Sequence, residues 1–439
     1  MRFYDREREL ELLKEIEERS HRTAQFTVVV GRRRVGKTSL ILKACEGLDF
    51  AYLFVERMAE RDLCAVFQRE LEERFGEQIL GRAEKFTDVF EAMMKLSVKR
   101  PITVVIDEFQ EFRKVNMSVF SGIQKLWDLY KDRSKINLIV SGSVYTLIQK
   151  IFKTKKAALY GRETAFIKVE PFGVSVLKEI LAEYKPKYDK EDLLALWSMT
   201  GGVAKYVEIL MDRGATSFGQ MVKTIVQEDS VLLEEGRAVL VEEFEKEYGV
   251  YFSVLAAIAG GRNTRNEISQ ALGRDVGGYL TRLERDYALI SRRQPLFAKE
   301  SSKGARYQIG DCFFRFWFRF IYRYSYLLQI KGYEKLRAII TRDYPQFSGL
   351  ALESYFHELF AESGEWTRLG NWWDRRGENE IDLIAEDELN GRVLVAEVKR
   401  EKRRIDMDVL REKFKAFTES TGKWRKTTPE FVSLSLDQM

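Results

Sequence analysis

The sequence predicts a multidomain α/β protein, and three observations lead to that fold class. Short β-branched apolar segments alternate with longer helical segments through the first 175 residues. A glycine-containing turn stands between the first of these strands and the helix that follows it. After residue 176 the pattern becomes helical, and mixed strands and helices return towards the C-terminus. Because alternating strands and helices are typical of a parallel sheet covered on both faces, we expect such a sheet in the N-terminal part.

Length and composition exclude several classes of protein. The chain has 439 residues, about three domains at roughly 150 residues each. With 45% apolar and 32% charged residues, it is not a disordered chain. Its three cysteines are far apart, which excludes a disulfide scaffold and indicates a reducing, cytoplasmic setting. No apolar run approaches the roughly 18 residues of a membrane span, and charged sequence follows residues 1–5, so we expect neither a membrane span nor an export signal.

Five β-branched segments bounded by turn residues predict the strands of the first domain, which we place at residues 1–175. An amphipathic helix over 4–19 precedes them, and helices such as 63–75 and 120–132 separate them. The predicted strands are 26–30, 51–55, 102–106, 138–140 and 165–169.

A complete GxxxxGK[ST] motif follows the first strand directly. Its glycines allow backbone N–H groups to face a phosphate, Lys37 would neutralise the β- and γ-phosphates, and the Thr38 hydroxyl would ligate Mg²⁺. A basic turn that binds nothing is the alternative, but the strand–loop–helix context favours a site for ATP. The predicted nucleotide contacts are Gly31, Arg32, Arg33, Arg34, Val35, Gly36, Lys37, Thr38 and Ser39.

Two adjacent acids end the predicted strand 102–106. Asp107 would hold Mg²⁺ through water, and Glu108 would polarise the attacking water as a general base. We expect this strand to neighbour the P-loop strand. Acids that merely face solvent are the alternative, and the acid pair favours ATP hydrolysis over nucleotide storage.

Several short segments before residue 210 match one family of P-loop proteins. The matching segments are 3–10, 31–38, 106–109, 138–143, 159–162 and 200–203. Through them, residues 1–210 resemble the archaeal-type ATPases of the STAND branch of AAA-related P-loop proteins. The resemblance implies that Ser141 or Ser143 is a polar sensor at a strand end. It also implies that Arg162 reaches the γ-phosphate, in cis or from a neighbouring subunit of an oligomer, although an arginine at this place could equally be solvated or salt-bridged.

The middle of the chain predicts two further domains. Residues 176–245 are helical throughout and would form a lid. Residues 246–310 carry three helical patterns and a strand pair, 289–292 with 306–309, which together predict a winged helix-turn-helix. A basic second helix and wing could contact DNA phosphates, whereas a lid or protein contact with a solvated basic face is the alternative. The residues concerned are Arg274, Tyr279, Thr281, Arg282, Arg285, Arg292, Arg293, Lys299 and Lys303.

A second group of carboxylates lies near the C-terminus. Residues 379–385 and 393–398 predict two strands joined by a turn, which would bring Asp382 close to Glu397. Lys399 would share a face with Glu397, because alternate strand residues point the same way. Two carboxylates and a lysine can hold Mg²⁺ and position water for attack on a phosphodiester. A hairpin in which these three residues compensate one another's charge is the alternative.

With Glu353 on the preceding helix, these residues resemble the PD-(D/E)xK nuclease-like fold at the C-terminus of many archaeal-type ATPases. The resemblance implies a restriction-endonuclease-like α/β domain over 311–439. It implies catalytic roles for Glu353, Asp382, Glu397 and Lys399, with metal held by Asp382 and Glu397. Residues 400–427 contain ten basic and five acidic residues, which accounts for the net charge of +5 and favours a polyanionic partner.

The function expected from these features is ATP binding and hydrolysis that control a DNA-binding, metal-dependent nuclease module. The alternative is an ATP-dependent regulatory switch or protein-interaction module whose nuclease-like domain is inactive.

Overall fold

The computed structural model describes residues 1–76, 81, 83–143, 145–244, 248–298 and 304–439. In this described part, no helix is both long enough and apolar enough to cross a membrane. The chain divides into two compact units. One is Asp5–Glu170, and the other combines Met1–Tyr4 with Pro171–Met439.

The unit Asp5–Glu170 is built on a five-stranded parallel sheet of order β2-β3-β4-β1-β5, which confirms the predicted α/β fold with a parallel sheet. Every residue of β1, β3 and β4 is buried, as expected for central strands covered on both faces. The strands are β1 (Gln25–Val30), β2 (Phe50–Phe54), β3 (Ile102–Asp107), β4 (Ile136–Gly142) and β5 (Ala165–Lys168).

Helices cover both faces of this sheet. Side chains alternate between faces along β1, so Val28 and Val30 enter one apolar cluster and Val29 enters the other. The helices are α1 (Glu7–Ser20), α2 (Lys37–Ala44), α3 (Glu60–Phe75), α4 (Phe86–Lys99), α5 (Phe112–Val115), α6 (Ser118–Tyr130) and α7 (Tyr145–Phe152).

The strand order corrects one expectation. The acids of β3 were expected on a strand beside β1, but β4 lies between the two, paired with β1 through Val29 and Ser141 and with β3 through Ile106 and Val140. Sequence patterns do not reveal strand order in a parallel sheet, because each crossover can skip a position. The consequence is that Ser141, near the end of β4, lies between the P-loop and the acids.

The second unit contains the remaining helices and two further sheets. A π-helical turn, Trp317–Tyr322, continues the helix α16, and its aromatic side chains are largely buried, as expected for a core segment. The helices are α8 (Val174–Tyr184), α9 (Lys190–Thr200), α10 (Ala204–Asp212), α11 (Phe218–Ile225), α12 (Val231–Phe244), α13 (Tyr248–Ala259), α14 (Arg265–Leu272), α15 (Gly277–Arg285), α16 (Cys312–Phe316), α17 (Ser325–Gln329), α18 (Tyr333–Glu362) and α19 (Met407–Thr421).

A small antiparallel ribbon follows the helices α13 to α15. Its strands are β6 (Ile290–Arg293) and β7 (Arg306–Ile309), and α13 packs against both α14 and β7. Buried Ile268, Leu280 and Leu283 attach the two shorter helices to the core.

The C-terminal sheet has four strands in the order β11-β10-β9-β8. The first three in the chain form an antiparallel meander, and β11 pairs parallel with β10. One face packs with residues of α18, such as Leu352, and the other with residues of α19, such as Phe417. The strands are β8 (Arg368–Trp373), β9 (Glu380–Asp387), β10 (Arg392–Val398) and β11 (Glu430–Leu434).

Candidate nucleotide site and C-terminal carboxylates

The P-loop between β1 and α2 depends on its two glycines. A Cβ at Gly31 would lie 2.4 Å from the Val169 carbonyl oxygen, so no other residue fits there without backbone movement. Gly36 caps α2 with a φ of 96°, a left-handed conformation that favours glycine. Both constraints curl the backbone around the N-terminus of α2, the arrangement that binds phosphates.

Lys37 and Thr38 occupy the first turn of α2. The buried Lys37 ammonium donates hydrogen bonds to the carbonyls of Gly31 and Arg32, at 2.9 and 3.0 Å, and so lies over the loop. The Thr38 Oγ1 donates to Asp107 Oδ2 at 3.2 Å. The loop hydroxyl and the strand acid therefore face the same point, and their oxygens suit a hard divalent cation such as Mg²⁺.

Asp107 is held by hydroxyl groups from two neighbouring strands. Ser141 of β4 donates to one of its carboxylate oxygens, and Tyr52 of β2 donates to the other. Burial, followed by the hydrogen bond to Asp107, raises the pKa of Tyr52, so the phenol remains a proton donor. Sequence reasoning missed Tyr52, although its place near the end of a predicted strand was a usable signal.

Glu108 begins the turn after β3 with a φ of 53°, a left-handed conformation uncommon for a residue with a side chain. Its carboxylate accepts hydrogen bonds from Ser143 Oγ, at 2.8 Å, and from the side-chain amide of Gln110. The two serines thus divide between the acids, Ser141 with Asp107 and Ser143 with Glu108. Gln110 was not predicted from the sequence.

The arginine expected to reach the γ-phosphate has other partners in this structure. Arg162 donates to the Tyr160 carbonyl at 2.8 Å and to Asp128 at 3.0 Å. The salt-bridged interpretation therefore describes its contacts here, and its role towards nucleotide stays a prediction.

In the second unit, Asp382 and Glu397 are brought together as expected, and lysines hold them. Lys399 Nζ lies 3.1 Å from Asp382 and 2.8 Å from Glu397. Lys413 of α19, which was not predicted, donates to both oxygens of Glu397 at 3.0 and 2.9 Å. Burial disfavours the charged form of Lys399, but Asp382 and Glu397 outweigh it and raise its pKa.

The third predicted acid, Glu353, lies on α18. Burial, together with the nearby Asp382 and Glu380, raises the pKa of Glu353 to about 8. One turn further along the helix, His357 contacts the backbone carbonyl of Asp382 at 2.9 Å. Burial lowers the pKa of His357 to about 4, so the ring is neutral near pH 7.

These acids do not form a ready metal site. Among the described residues, no three His, Cys, Asp or Glu side chains are grouped so as to hold a metal ion. Glu397 alternates along β10 with Ala396 and Val398, which pack in the cluster that contains α18, so its side chain lies on the α19 side. Glu353 approaches from the α18 side, which accounts for the incomplete grouping.

The basic residues of the second unit differ in their placement. Arg285 and Arg292 are exposed, Arg293 lines a partly open cavity, and Lys299 and Lys303 lie outside the described residues. In the basic segment 400–427, several charges are paired. The pairs are Arg400 with Glu191, Arg403 and Arg404 with Glu401, Arg411 with Asp408, and Lys413 with Glu397.

Comparison with known proteins identifies the class to which this fold and site belong. Residues 3–210 match a family model described as an ATPase domain predominantly from Archaea. Residues 317–426 match a model described as archaeal and bacterial proteins of unknown function. Residues 3–210 are therefore an archaeal-type ATPase domain, which includes the unit Asp5–Glu170 and continues into the second unit.

The relatives extend this assignment over most of the chain. The uncharacterized protein MJECL04 of Methanocaldococcus jannaschii is 32% identical over 409 residues, which cover 90% of this chain and 87% of the relative. The chain belongs to the same family as this protein.

Two solved structures are similar to this chain at low sequence identity, and the first shows the shared fold. The Walker-type ATPase PABY2304 of Pyrococcus abyssi is 20% identical with a TM-score of 0.55, over 72% of this chain and 96% of the other. The ORC2 protein of Aeropyrum pernix, solved as ADPNP–ADP complexes, is 14% identical with a TM-score of 0.49, over 77% and 96% respectively.

Proposed function

We propose that this protein binds and hydrolyses ATP, with Mg²⁺, at the P-loop and the β3 acids. The observation that supports this most directly is the hydrogen bond between Thr38 and Asp107. It joins the loop hydroxyl and the strand carboxylate that would share the cation.

The residues divide the chemistry as follows. Loop residues 31–39 would cradle the phosphates, and Lys37 would turn from the loop carbonyls to the β- and γ-phosphates. Bound Mg²⁺ would neutralise charge that develops on the phosphate oxygens. Glu108, positioned by Ser143, would orient and deprotonate the attacking water, and Arg162 would supply a further cation after leaving Asp128.

Two variants test this proposal through ATP turnover and nucleotide binding. Lys37→Ala should abolish both, whereas Glu108→Gln should abolish turnover and retain binding. Lys43→Ala is a matched control, since Lys43 lies on the exposed side of the same helix and pairs with Glu46. Normal turnover in both test variants would refute the site.

We further propose that the second unit is a nucleic-acid module controlled by the ATPase. Its domains would be a helical lid at 176–245, a winged helix at 246–310 and a nuclease-like domain at 311–439. The helices α13 to α15 followed by an antiparallel ribbon support the winged helix. Support for the nuclease-like domain comes from the C-terminal sheet and from Lys399, which bridges Asp382 and Glu397.

Cleavage of DNA is the activity we propose for the C-terminal carboxylates. Asp382 and Glu397 would bind a divalent metal, and Lys399 and Glu353 would position the water and the scissile phosphate. Plasmid nicking with ATP and Mg²⁺ or Mn²⁺ tests this, with Asp382→Ala as the inactive variant. Nicking by the wild type alone supports cleavage, whereas equal nicking by both proteins, or by neither, refutes it.

One observation favours the second candidate, an ATP-dependent regulatory switch with an inactive nuclease-like domain. Lys413 places a second ammonium group beside Glu397, so two lysines already compensate the charge of the two carboxylates. In this case the protein would bind DNA or a protein partner without cutting it. DNA affinity would then fall with salt, and Arg282→Ala with Arg285→Ala would weaken it while plasmid stayed intact.

A further inference from the structure

A partly open cavity of about 200 Å³ lies in the second unit, between the helix-and-ribbon segment and the C-terminal sheet. That volume equals roughly six or seven water molecules at about 30 Å³ each. Its wall combines apolar residues with three arginines. The charged residues that line it are Arg293, Arg306, Arg315, Glu353 and Glu380.

The charges that line the cavity do not balance. Three guanidinium groups meet two carboxylates, even if both carboxylates are ionised. Arg306 is satisfied, because it donates to both oxygens of Glu380 at 2.9 and 3.0 Å and lies 4.5 Å from the Trp373 ring centroid. Among the described residues, Arg293 and Arg315 form no ion pair. A buried positive charge without a counter-ion is costly, so an anion at this place would stabilise the fold.

Arg315 is the most buried of the three arginines that line the cavity. It is only 7% exposed, and one guanidinium nitrogen donates to Cys312 Sγ at 2.8 Å and to Ser354 Oγ at 3.0 Å. These neutral contacts fix the plane of the side chain. The other terminal nitrogen, Nη1, is buried and has no hydrogen-bond partner. Buried donors are rarely left without a partner in native structures, which indicates that a ligand group completes this one.

Arg293 supplies the second unpaired charge. It is the last residue of β6 and lines the cavity, whereas the preceding residue, Arg292, is exposed and does not line it. Burial is the main cause that lowers the pKa of Arg293, and the neighbouring Arg315 lowers it further, while Glu353 and Glu380 act in the opposite direction. The neutral donors Asn263, Gln308 and Asn371 also line the cavity.

We propose that this cavity is a binding site for a phosphate group, with Arg293 and Arg315 as its cationic ligands. Planar guanidinium groups match phosphate oxygens through paired hydrogen bonds, and the space suits a phosphate with a few attached atoms rather than a nucleoside triphosphate. The phosphate can come from a nucleic-acid end or from a small free phosphate. The site is separate from the P-loop and does not depend on cleavage by the C-terminal carboxylates.

Calorimetric titration of the full chain tests this site in the Lys37→Ala background, which removes the P-loop lysine as a source of phosphate binding. The buffer contains EDTA at constant ionic strength, so that metal at Asp382 and Glu397 contributes nothing. The probes are inorganic phosphate and one single-stranded oligonucleotide prepared with a 5′-phosphate or a 5′-hydroxyl. Tighter binding of the 5′-phosphorylated strand than of the 5′-hydroxyl strand identifies a nucleic-acid end, whereas equal affinities of the two strands together with binding of inorganic phosphate identify a small phosphate.

Arg293→Gln should weaken phosphate binding by about tenfold or more, because a hydrogen bond to a charged group is lost. Arg323→Gln is the control and should change nothing, since Arg323 is exposed and does not line the cavity. Arg315→Met should act like Arg293→Gln, and thermal unfolding shows whether it folds. If it does not fold, Arg293→Gln decides alone. Absence of phosphate binding in the Lys37→Ala background, or unchanged affinity in Arg293→Gln, overturns the proposal.

Discussion

Each unit contains a pair of neighbouring carboxylates, and the groups that donate hydrogen bonds to the two pairs differ in charge. At the end of β3, Asp107 and Glu108 receive hydrogen bonds from hydroxyls, a side-chain amide and a backbone N–H, all of them neutral donors. In the C-terminal sheet, Asp382 and Glu397 are held mainly by the ammonium groups of Lys399 and Lys413.

The difference predicts how each pair responds to a cation. Neutral donors orient a carboxylate and leave its charge available, so the β3 acids would be free to bind the Mg²⁺ proposed beside the P-loop. Ammonium groups cancel that charge, so a metal at the C-terminal sheet must compete with lysine. Under the proposed function, the first pair would therefore serve catalysis with a cation, and the second would serve stability unless a lysine is displaced.

The largest expected effect is on ATP turnover, which should depend on the β3 acids and not on the C-terminal pair. Asp107→Asn should lower the rate by about 100-fold or more, since it removes the carboxylate that would hold the cation. Asp382→Asn should leave turnover unchanged. Phosphate release at saturating ATP and Mg²⁺ measures both. A comparable loss in Asp382→Asn would show that the two acid pairs do not act separately.

Removal of one lysine should make the C-terminal pair resemble the β3 pair. Lys413→Met leaves two carboxylates with one ammonium group, so the protein should lose about 2 kcal/mol of unfolding free energy without metal. Mn²⁺ should then raise the Tm of the variant by several degrees, and by less in the wild type. Lys415→Met is the control, because Lys415 is exposed on the same helix. An equal response to Mn²⁺ in both variants would contradict competition between lysine and metal.

The pH dependence of stability offers a third comparison. The pKa of Glu353 is raised from 4.5 to about 8, so the folded state binds more protons than the unfolded state and the unfolding free energy falls as pH rises between these values. The pKa of His357 is lowered from 6.5 to about 4, so its contribution has the opposite sign and is lost as pH falls below 6.5.

The unfolding free energy of Glu353→Gln should therefore exceed that of the wild type by on the order of 2 kcal/mol at pH 8.5, with little difference at pH 5. Urea unfolding at the two pH values measures this change. Glu358→Gln is the control, since Glu358 is exposed on the same helix. A pH-independent effect of Glu353→Gln would mean that this carboxyl does not titrate as described.

Much of the first unit could be predicted because local patterns determine it. β-branched runs located the strands to within a few residues, and the spacing of Gly31, Gly36 and Lys37 required the loop that is observed. Strand order could not be predicted in this way. It depends on how each crossover passes over the sheet, and it alone determines that Ser141 and Tyr52 meet Asp107.

In the second unit, the pairing of Asp382 with Glu397 was predictable from a hairpin. The contact between Lys413 and Glu397 was not predictable, because Lys413 lies on a helix and is 16 residues further along the chain. The direction of Arg293 was equally hidden, since alternation along a four-residue strand does not reveal which side faces solvent. Neighbours supplied by tertiary packing decide the charge balance of both sites.

The smallest expected effect concerns the hydroxyl groups themselves. Tyr52→Phe removes one neutral donor from Asp107 and leaves its charge, so ATP turnover should fall by roughly threefold to tenfold, equivalent to about 1 kcal/mol. A stronger dependence on Mg²⁺ concentration should accompany this loss, because Asp107 would be less well oriented. Turnover measured over a Mg²⁺ series, beside Tyr160→Phe as an exposed control, checks both effects. If Tyr52→Phe abolished turnover as completely as Asp107→Asn, the phenol would be part of the catalytic machinery, and orientation by neutral donors would not describe the β3 acids.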